Sequence, residues 1–246
     1  MGQSDQGKLR RPALRWAAFL LCLIAFGLGV HQLLYHPRSP LPPEWNPTVP
    51  LRVAHPIGPT TEWKLSRTAA DREQCLAALS EAAEVTPMPA LVVSDDCGIE
   101  NRVLVSRLGN ARIDPIETTC AVALRMAMWE RHSLRPAAQQ VFGQDIAVIR
   151  QIGSYNCRRM RTSAGVGRQM STHSRAEAID ITGFDLPDGR RIRLLEHWNG
   201  QADEAAFLRA ARDGACDVFR TTLSPDFNAL HADHFHLQSR GWGTCR

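Results

Sequence analysis

No two of the seven cysteines stand as a Cys-x-x-Cys pair, which excludes the common cysteine-type structural zinc site. Nor is there a basic stripe with interleaved aromatics. The 29 lysines and arginines are scattered and outnumber the 25 acids by a formal charge of only +4, so the sequence carries no electrostatic footprint for nucleic acid. Beyond one proline-rich stretch there is no internal repeat and no low-complexity tract. What remains, at 246 residues and 44% hydrophobic content, is one domain of ordinary size with appendages. Its mildly basic balance suits an anionic wall polymer.

The cysteines that are present say more. Cys22 sits inside an apolar run, while Cys75, Cys97, Cys120, Cys157, Cys216 and Cys245 are spread along the remainder. An even set of spaced cysteines after a membrane segment predicts disulfides in an oxidising compartment. The sequence does not choose among the pairings.

Residues 1–15 are polar, carry Lys8, Arg10, Arg11 and Arg15, and read as a cytoplasmic tail. Trp16 to Val30 is wholly apolar or glycine and continues more weakly to Tyr35, which predicts one transmembrane helix over 16–35 with the bulk of the chain outside. A small-x-small cleavage site is missing after it, which favours an uncleaved anchor over a signal peptide. Residues 36–62 are rich in proline and predict an extended, semi-rigid spacer. A globular domain then covers 63–246.

Within that domain, Ala69 to Ala83 has helical composition. Ala90–Val93 and Val103–Val105 are strand candidates, the second closed by Gly109-Asn110. Thr118 to Arg131 predicts a helix with Thr118 or Thr119 as cap and a buried face of Cys120, Leu124, Met128 and Trp129. Asp145–Ile152 reads as a strand, 162–172 as an irregular loop, and Ala178–Phe184 with Arg190–Leu195 as strands flanking the turn Pro187-Asp188-Gly189. Asp203–Gly214 is an amphipathic helix and His234–Gln238 a last strand. The order predicts an α+β domain with a mostly antiparallel sheet and flanking helices.

Five of the nine histidines fall between 173 and 236, four of them in two stretches: Ser171-Thr172-His173-Ser174-Arg175-Ala176-Glu177-Ala178-Ile179-Asp180 and Leu230-His231-Ala232-Asp233-His234-Phe235-His236-Leu237. An open zinc site needs three imidazole or carboxylate ligands and leaves a fourth position for water. His173, Asp180 and His236 supply that set. His234 and His236 alternate on a strand and so share a face, one free for metal and the other for water or substrate. Asp233 is placed to take the proton of a metal-bound water, and Arg158, with Arg159 and Arg161 behind it, to steady a developing oxyanion. Glu177 reads as a solvated or outer acid, His231 as a loop residue at the mouth, and His197 beside Trp198 as structural.

At these motifs the chain resembles the superfamily that includes lysostaphin-type peptidases, D-Ala-D-Ala metallopeptidases and the hedgehog signalling domain. They share a His, six residues, Asp motif and a later His-x-His, here His173 to Asp180 and His234-Phe235-His236. The resemblance implies Zn2+ on His173, Asp180 and His236, a base at Asp233, and a fold of that type. Ala176 departs from it, standing where D-Ala-D-Ala peptidases commonly carry glycine. Over about Trp63 to Cys245 the chain more closely resembles the bacterial extensin-like protein C-terminal domain family, through Gly153-Ser154-Tyr155-Asn156-Cys157-Arg158, the 171–180 motif, Gly214-Ala215-Cys216 and 228–236. That resemblance implies a bacterial envelope protein. The expectation is a single-pass inner-membrane protein, N-terminus cytoplasmic, whose periplasmic domain is a zinc peptidase cutting peptidoglycan stem peptides or cross-links, with an envelope protein complex as a further partner. The rivals are a D,D- or L,D-carboxypeptidase and a non-catalytic, zinc-containing domain that binds the wall or a partner.

Overall fold

A computed structural model of the chain describes residues 6–162, 164–200 and 202–246, with only the backbone described for 6–13. It divides into two compact units, Met1–Val49 and Pro50–Arg246. The first is built on helix α1 (Gln6–Tyr35), which begins inside the segment read as a tail. Its stretch Leu14–Tyr35, 22 residues of mean hydropathy 2.1, could cross a membrane by length and composition. At 1.5 Å per residue it spans about 33 Å, near the thickness of a bilayer core.

The proline-rich stretch is not the extended rod expected over 36–62. Turns close it at Ser39 N–H to His36 O and at Trp45 N–H to Pro42 O. The Asn46 amide and the Thr48 hydroxyl both donate to the Leu34 carbonyl, at 2.8 and 3.0 Å. The last carbonyls of a helix lack intrahelical partners, and here side chains from the following segment fill that need. From Pro50 the chain belongs to the second unit, where Leu51 and Val53 enter the core. Trp45 and Trp63 are each about half exposed.

The second unit is α+β. The helix expected over 69–83 is divided: its first two residues end α2 (Thr61–Ala70) and its middle forms α3 (Arg72–Leu79). Asp71 breaks it, because its carboxylate accepts from the Gln74 N–H at 3.0 Å and starts the second helix as its cap. Strand β1 (Ala83–Pro87) follows, then a short hairpin of β2 (Leu91–Ser94) and β3 (Cys97–Ile99), then β4 (Arg102–Leu108) and β5 (Ala111–Thr119). Helix α4 (Cys120–Trp129) is capped by Thr119 and carries Leu124, Met128 and Trp129 fully buried, so the apolar stripe is core, as read. A π-helical turn (Glu130–Leu134) joins it to α5 (Arg135–Phe142).

Beyond lie β6 (Val148–Gly153) and a hairpin of β7 (Arg159–Thr162) and β8 (Gly165–Met170). The stretch expected as an irregular loop therefore forms most of a paired hairpin. Its signal is weak because both strands are exposed on their two faces and show no apolar alternation. Strands β9 (Ala178–Asp185) and β10 (Arg191–Arg193), helices α6 (Leu194–His197) and α7 (Asp203–Cys216), and strands β11 (Thr221–Leu223), β12 (Phe235–Gln238) and β13 (Thr244–Cys245) complete the chain.

The main sheet runs β1-β4-β5-β6-β9-β12-β11-β13, with β10 also on β9. It is antiparallel except at β5–β6 and β11–β13. One face carries Val103, Val105, Ile149, Ile181, Phe184, Phe235 and Leu237 into a core shared with α2 to α5 and α7. On the strands, residues alternating with these carry polar and paired side chains, such as Arg102 with Glu117 and Arg150 with Asp185.

All six cysteines proposed for bridges are paired: Cys75–Cys120, Cys97–Cys157 and Cys216–Cys245. Cys22, on α1, is free. The first bridge ties α3 to α4. The second ties the β2–β3 hairpin to the segment after β6. The third joins the end of α7 to the last strand.

Candidate metal centre

Asp180 is the middle of the arrangement. In β9 it stands opposite His236 of β12 on one side and Gly153 of β6 on the other. Its neighbours Ile179 and Ile181 enter the core, and strand alternation therefore aims Asp180 at the other face. Phe235 and Leu237 do the same for His236. The cross-strand pair is thus fixed by the burial of four apolar side chains around it.

His173 comes from a 3-10 turn (Thr172–Arg175) capped by the Ser171 hydroxyl. The turn ends at Ala176, which adopts the left-handed region at φ 50°, ψ 34°. An alanine gives up about 1 kcal/mol there, and its surroundings hold it in place. Its carbonyl lies 3.3 Å from Thr118 Oγ1 and 3.2 Å from Thr119 Oγ1, and its N–H donates to the His173 carbonyl at 3.0 Å. The alanine found in place of the resemblance's glycine therefore keeps the glycine-like backbone.

Gly153, at φ +139°, ends β6 and leads into Ser154. The Ser154 hydroxyl, fully buried, donates to the Ala178 carbonyl at 2.6 Å and meets the Thr118 hydroxyl at 2.7 Å. The Ser154 carbonyl lies 2.8 Å from His173 Nδ1, and Asn156 N–H donates to the His173 carbonyl at 2.9 Å. A carbonyl can only accept, so Nδ1 carries the proton and a neutral ring presents the Nε2 lone pair to the centre. This is the outer hydrogen bond that fixes a metal-binding imidazole.

The three donor atoms converge. His236 Nδ1 is 2.8 Å from Asp180 Oδ1, His173 Nε2 is 3.1 Å from His236 Nδ1, and His173 Nε2 is 3.2 Å from Asp180 Oδ2. Ligand atoms about 2.0–2.1 Å from a tetrahedral zinc lie roughly 3.3 Å apart, so the spacing and the donor set fit that ion. Three lone-pair-bearing atoms at such distances need a shared proton or a cation between them. Burial acts to raise the Asp180 pKa, but the hydrogen bonds and charge that His173 and His236 supply when protonated outweigh it and hold the carboxyl well below its usual range. Burial pushes the His236 pKa down, against the hydrogen bond it donates to Asp180.

A second group adjoins the first. His231, His234 and His236 also bring ligand atoms within 4.8 Å of one another. His231 sits on a 3-10 turn (Ala229–His231), its Nδ1 2.8 Å from Asn228 Oδ1. Its ring centroid lies 5.3 Å from that of His234 and 5.7 Å from that of His236. Burial, with the charge of His236 and His234, pushes its pKa down to about 4. His231 is therefore a member of the cluster, more than the mouth residue expected. The missed signal was Asn228, an acceptor three residues away able to fix the ring. Asp233 Oδ1 lies 2.8 Å from His234 Nδ1, while His234 Nε2 faces Asp180 Oδ1 at 3.6 Å.

Arg158 reaches the site through its backbone, its carbonyl accepting the Ser171 N–H at 3.0 Å. Its guanidinium donates to the Arg159 carbonyl at 3.3 Å. Glu177 pairs with Arg240 at 2.9 Å, and His197 Nδ1 bonds within its own turn at Arg193. A cavity of about 680 Å³ lies elsewhere, between Pro50–Ala54, α3 and Glu130, away from the histidines.

Fold and site together define an α+β domain with a histidine–aspartate centre on the polar side of its sheet. Residues 73–246 match the family described as extensin-like protein C-terminus, and the chain belongs to that family. No curated protein and no solved structure matches it.

Proposed function

We propose that this protein is a membrane-anchored zinc peptidase of the bacterial periplasm that cuts peptidoglycan stem peptides or cross-links. The observation that carries the reading is the convergence of His173 Nε2, Asp180 and His236 Nδ1 within 2.8–3.2 Å, with the His173 tautomer set by Ser154. Zinc held by those three groups would supply an acidified water and polarise a peptide carbonyl. The inner-membrane topology and the superfamily placement belong to the same proposal, supported by the apolar helix and the two motifs.

The remaining residues divide the proton work. His231 donates Nδ1–H to Asn228, keeps its Nε2 lone pair at neutral pH, and is the group we assign as base. Asp233 is the base by sequence resemblance, but its carboxylate is 55% exposed and engaged with His234. In this reading it accepts the Nδ1–H of His234 and orients that ring, which donates toward an oxyanion only in its doubly protonated form.

The test uses the full chain in detergent, oxidised and zinc-loaded, on Gram-negative sacculi, with muropeptides read by mass spectrometry. Loss of cross-linked dimers, abolished by chelation, is expected and names the bond. Loss of only a terminal residue makes it a carboxypeptidase. Unchanged muropeptides with stoichiometric zinc refute the enzyme and leave a zinc-containing binding domain. His231→Ala is expected to lower kcat roughly 100-fold or more with zinc retained, and Asp233→Asn less. The reverse order returns the base to Asp233.

A further inference from the structure

Between 153 and 172 the chain carries four arginines, Arg158, Arg159, Arg161 and Arg168, and no acid. Elsewhere on the domain arginines commonly meet carboxylates, as Arg102, Arg107, Arg150 and Arg240 do. Among the described residues, none of these four has an ion-pair partner. Arg158 and Arg159 instead donate to backbone carbonyls of the hairpin, of Arg159 at 3.3 Å and of Arg168 at 2.6 Å. Arg159, Arg161 and Arg168 lie on strands exposed along most of their length. Val166, 74% exposed, adds an apolar contact surface. Like charges gathered this way repel one another and focus a positive potential until counter-charges arrive.

The hairpin is rooted at the metal centre. Arg159 pairs with Met170 at its base, the Ser171 N–H donates to the Arg158 carbonyl, and Asn156 is bonded to His173. The Cys97–Cys157 disulfide ties the same root to β3. Strands of this length reach about 13–20 Å at ~3.3 Å per residue, the span of several residues of an extended peptide.

We propose that the β7–β8 hairpin is a cationic arm of the metal centre that recognises a peptide carrying several carboxylates. Arg159, Arg161 and Arg168 pair with carboxylates flanking the bond presented at His173, Asp180 and His236. The role of the bond rests on the proposed function; the binding itself does not.

Binding is therefore read without turnover. The full chain in nanodiscs of zwitterionic lipid, with chelator present, is sedimented with native sacculi and with sacculi whose carboxyls have been amidated. The expected result is about tenfold weaker retention on amidated sacculi, three exposed ion pairs being worth roughly that much. Arg159→Gln/Arg161→Gln/Arg168→Gln should show the weak value on both, with zinc uptake and Tm as in the parent. A triple variant that binds native sacculi like the parent overturns the proposal, as does a parent indifferent to amidation. Protection of these arginines from trypsin by phosphatidylglycerol in the disc, but not by sacculi, would make the arm a membrane contact and also overturn it. Carboxylate-dependent binding without cleavage refutes the peptidase and keeps the arm.

Discussion

Replacing Asp180 by asparagine separates a metal ligand from a structural charge, because the two roles predict opposite effects on the metal-free protein. In the structure Asp180 Oδ1 is 2.8 Å from His236 Nδ1 and Oδ2 is 3.2 Å from His173 Nε2. With Nδ1–H engaged by Ser154, the neutral form of the His173 ring offers its Nε2 lone pair toward a carboxylate oxygen. Two acceptors face each other. Asparagine has the same shape, accepts from His236 with its oxygen and donates to His173 with its amide. The metal-free Asp180→Asn protein should therefore differ in stability by less than about 1 kcal/mol. With zinc the outcome reverses. At a free metal concentration 100 times Kd, the parent gains about 2.7 kcal/mol, or roughly 5–10 °C in Tm for a unit of this size. The variant should gain almost none. Calorimetry of the full chain in detergent, in chelator and in buffered zinc, reads both numbers. A variant that retains the zinc shift refutes the ligand assignment. A metal-free loss above about 3 kcal/mol, the cost of breaking a buried charge pair, refutes the argument about facing acceptors.

Other outcomes follow from neighbouring groups. Ser154→Ala strips a buried hydroxyl from the Ala178 carbonyl and the Thr118 hydroxyl, and should cost about 1–3 kcal/mol in denaturant titrations and weaken zinc binding. His231 has a folded pKa depressed from 6.5 to about 4, so the stability it contributes is present above pH 6.5 and lost as the pH falls toward 4. Metal-free parent protein should lose stability across that window, and His231→Gln should lose less, as compared by urea midpoints at the two ends. Removing the Cys97–Cys157 bridge by double serine substitution should cost about 2–4 kcal/mol, with non-reducing peptide mapping still finding Cys75–Cys120 and Cys216–Cys245.

The types of residue in the site, and much of the domain around it, were legible in the order of the amino acids. The helix behind Thr119 announced itself by spacing, since an apolar stripe that must be buried has a fixed period. The six cysteines stood apart from Cys22 by their context. His173, Asp180 and His236 were singled out by their chemistry together with the motif spacing of the resemblance, because few residue types present lone pairs to a metal. Local pattern did not reach the β7–β8 hairpin, whose strands are polar on both faces, or the break at Asp71, where a capping hydrogen bond outweighed helical composition. The proline-rich stretch was misjudged as a rod because composition reports which regular structures are barred, not which turns satisfy a helix end.

Tertiary structure alone decided how these parts meet. The Asp180–His236 pair joins residues 56 apart and the His173–His236 contact residues 63 apart, through a strand register set by core burial. The same long-range geometry chose the disulfide pairing and gave Ser154 its hold on His173, whereas the contacts of His231 with His236 and of Asp233 with His234 are made within the 228–236 stretch. A sequence names the groups able to do chemistry. The distances that let them act together come from packing apolar neighbours on the far side of the same strands, and that is settled only when the whole sheet forms.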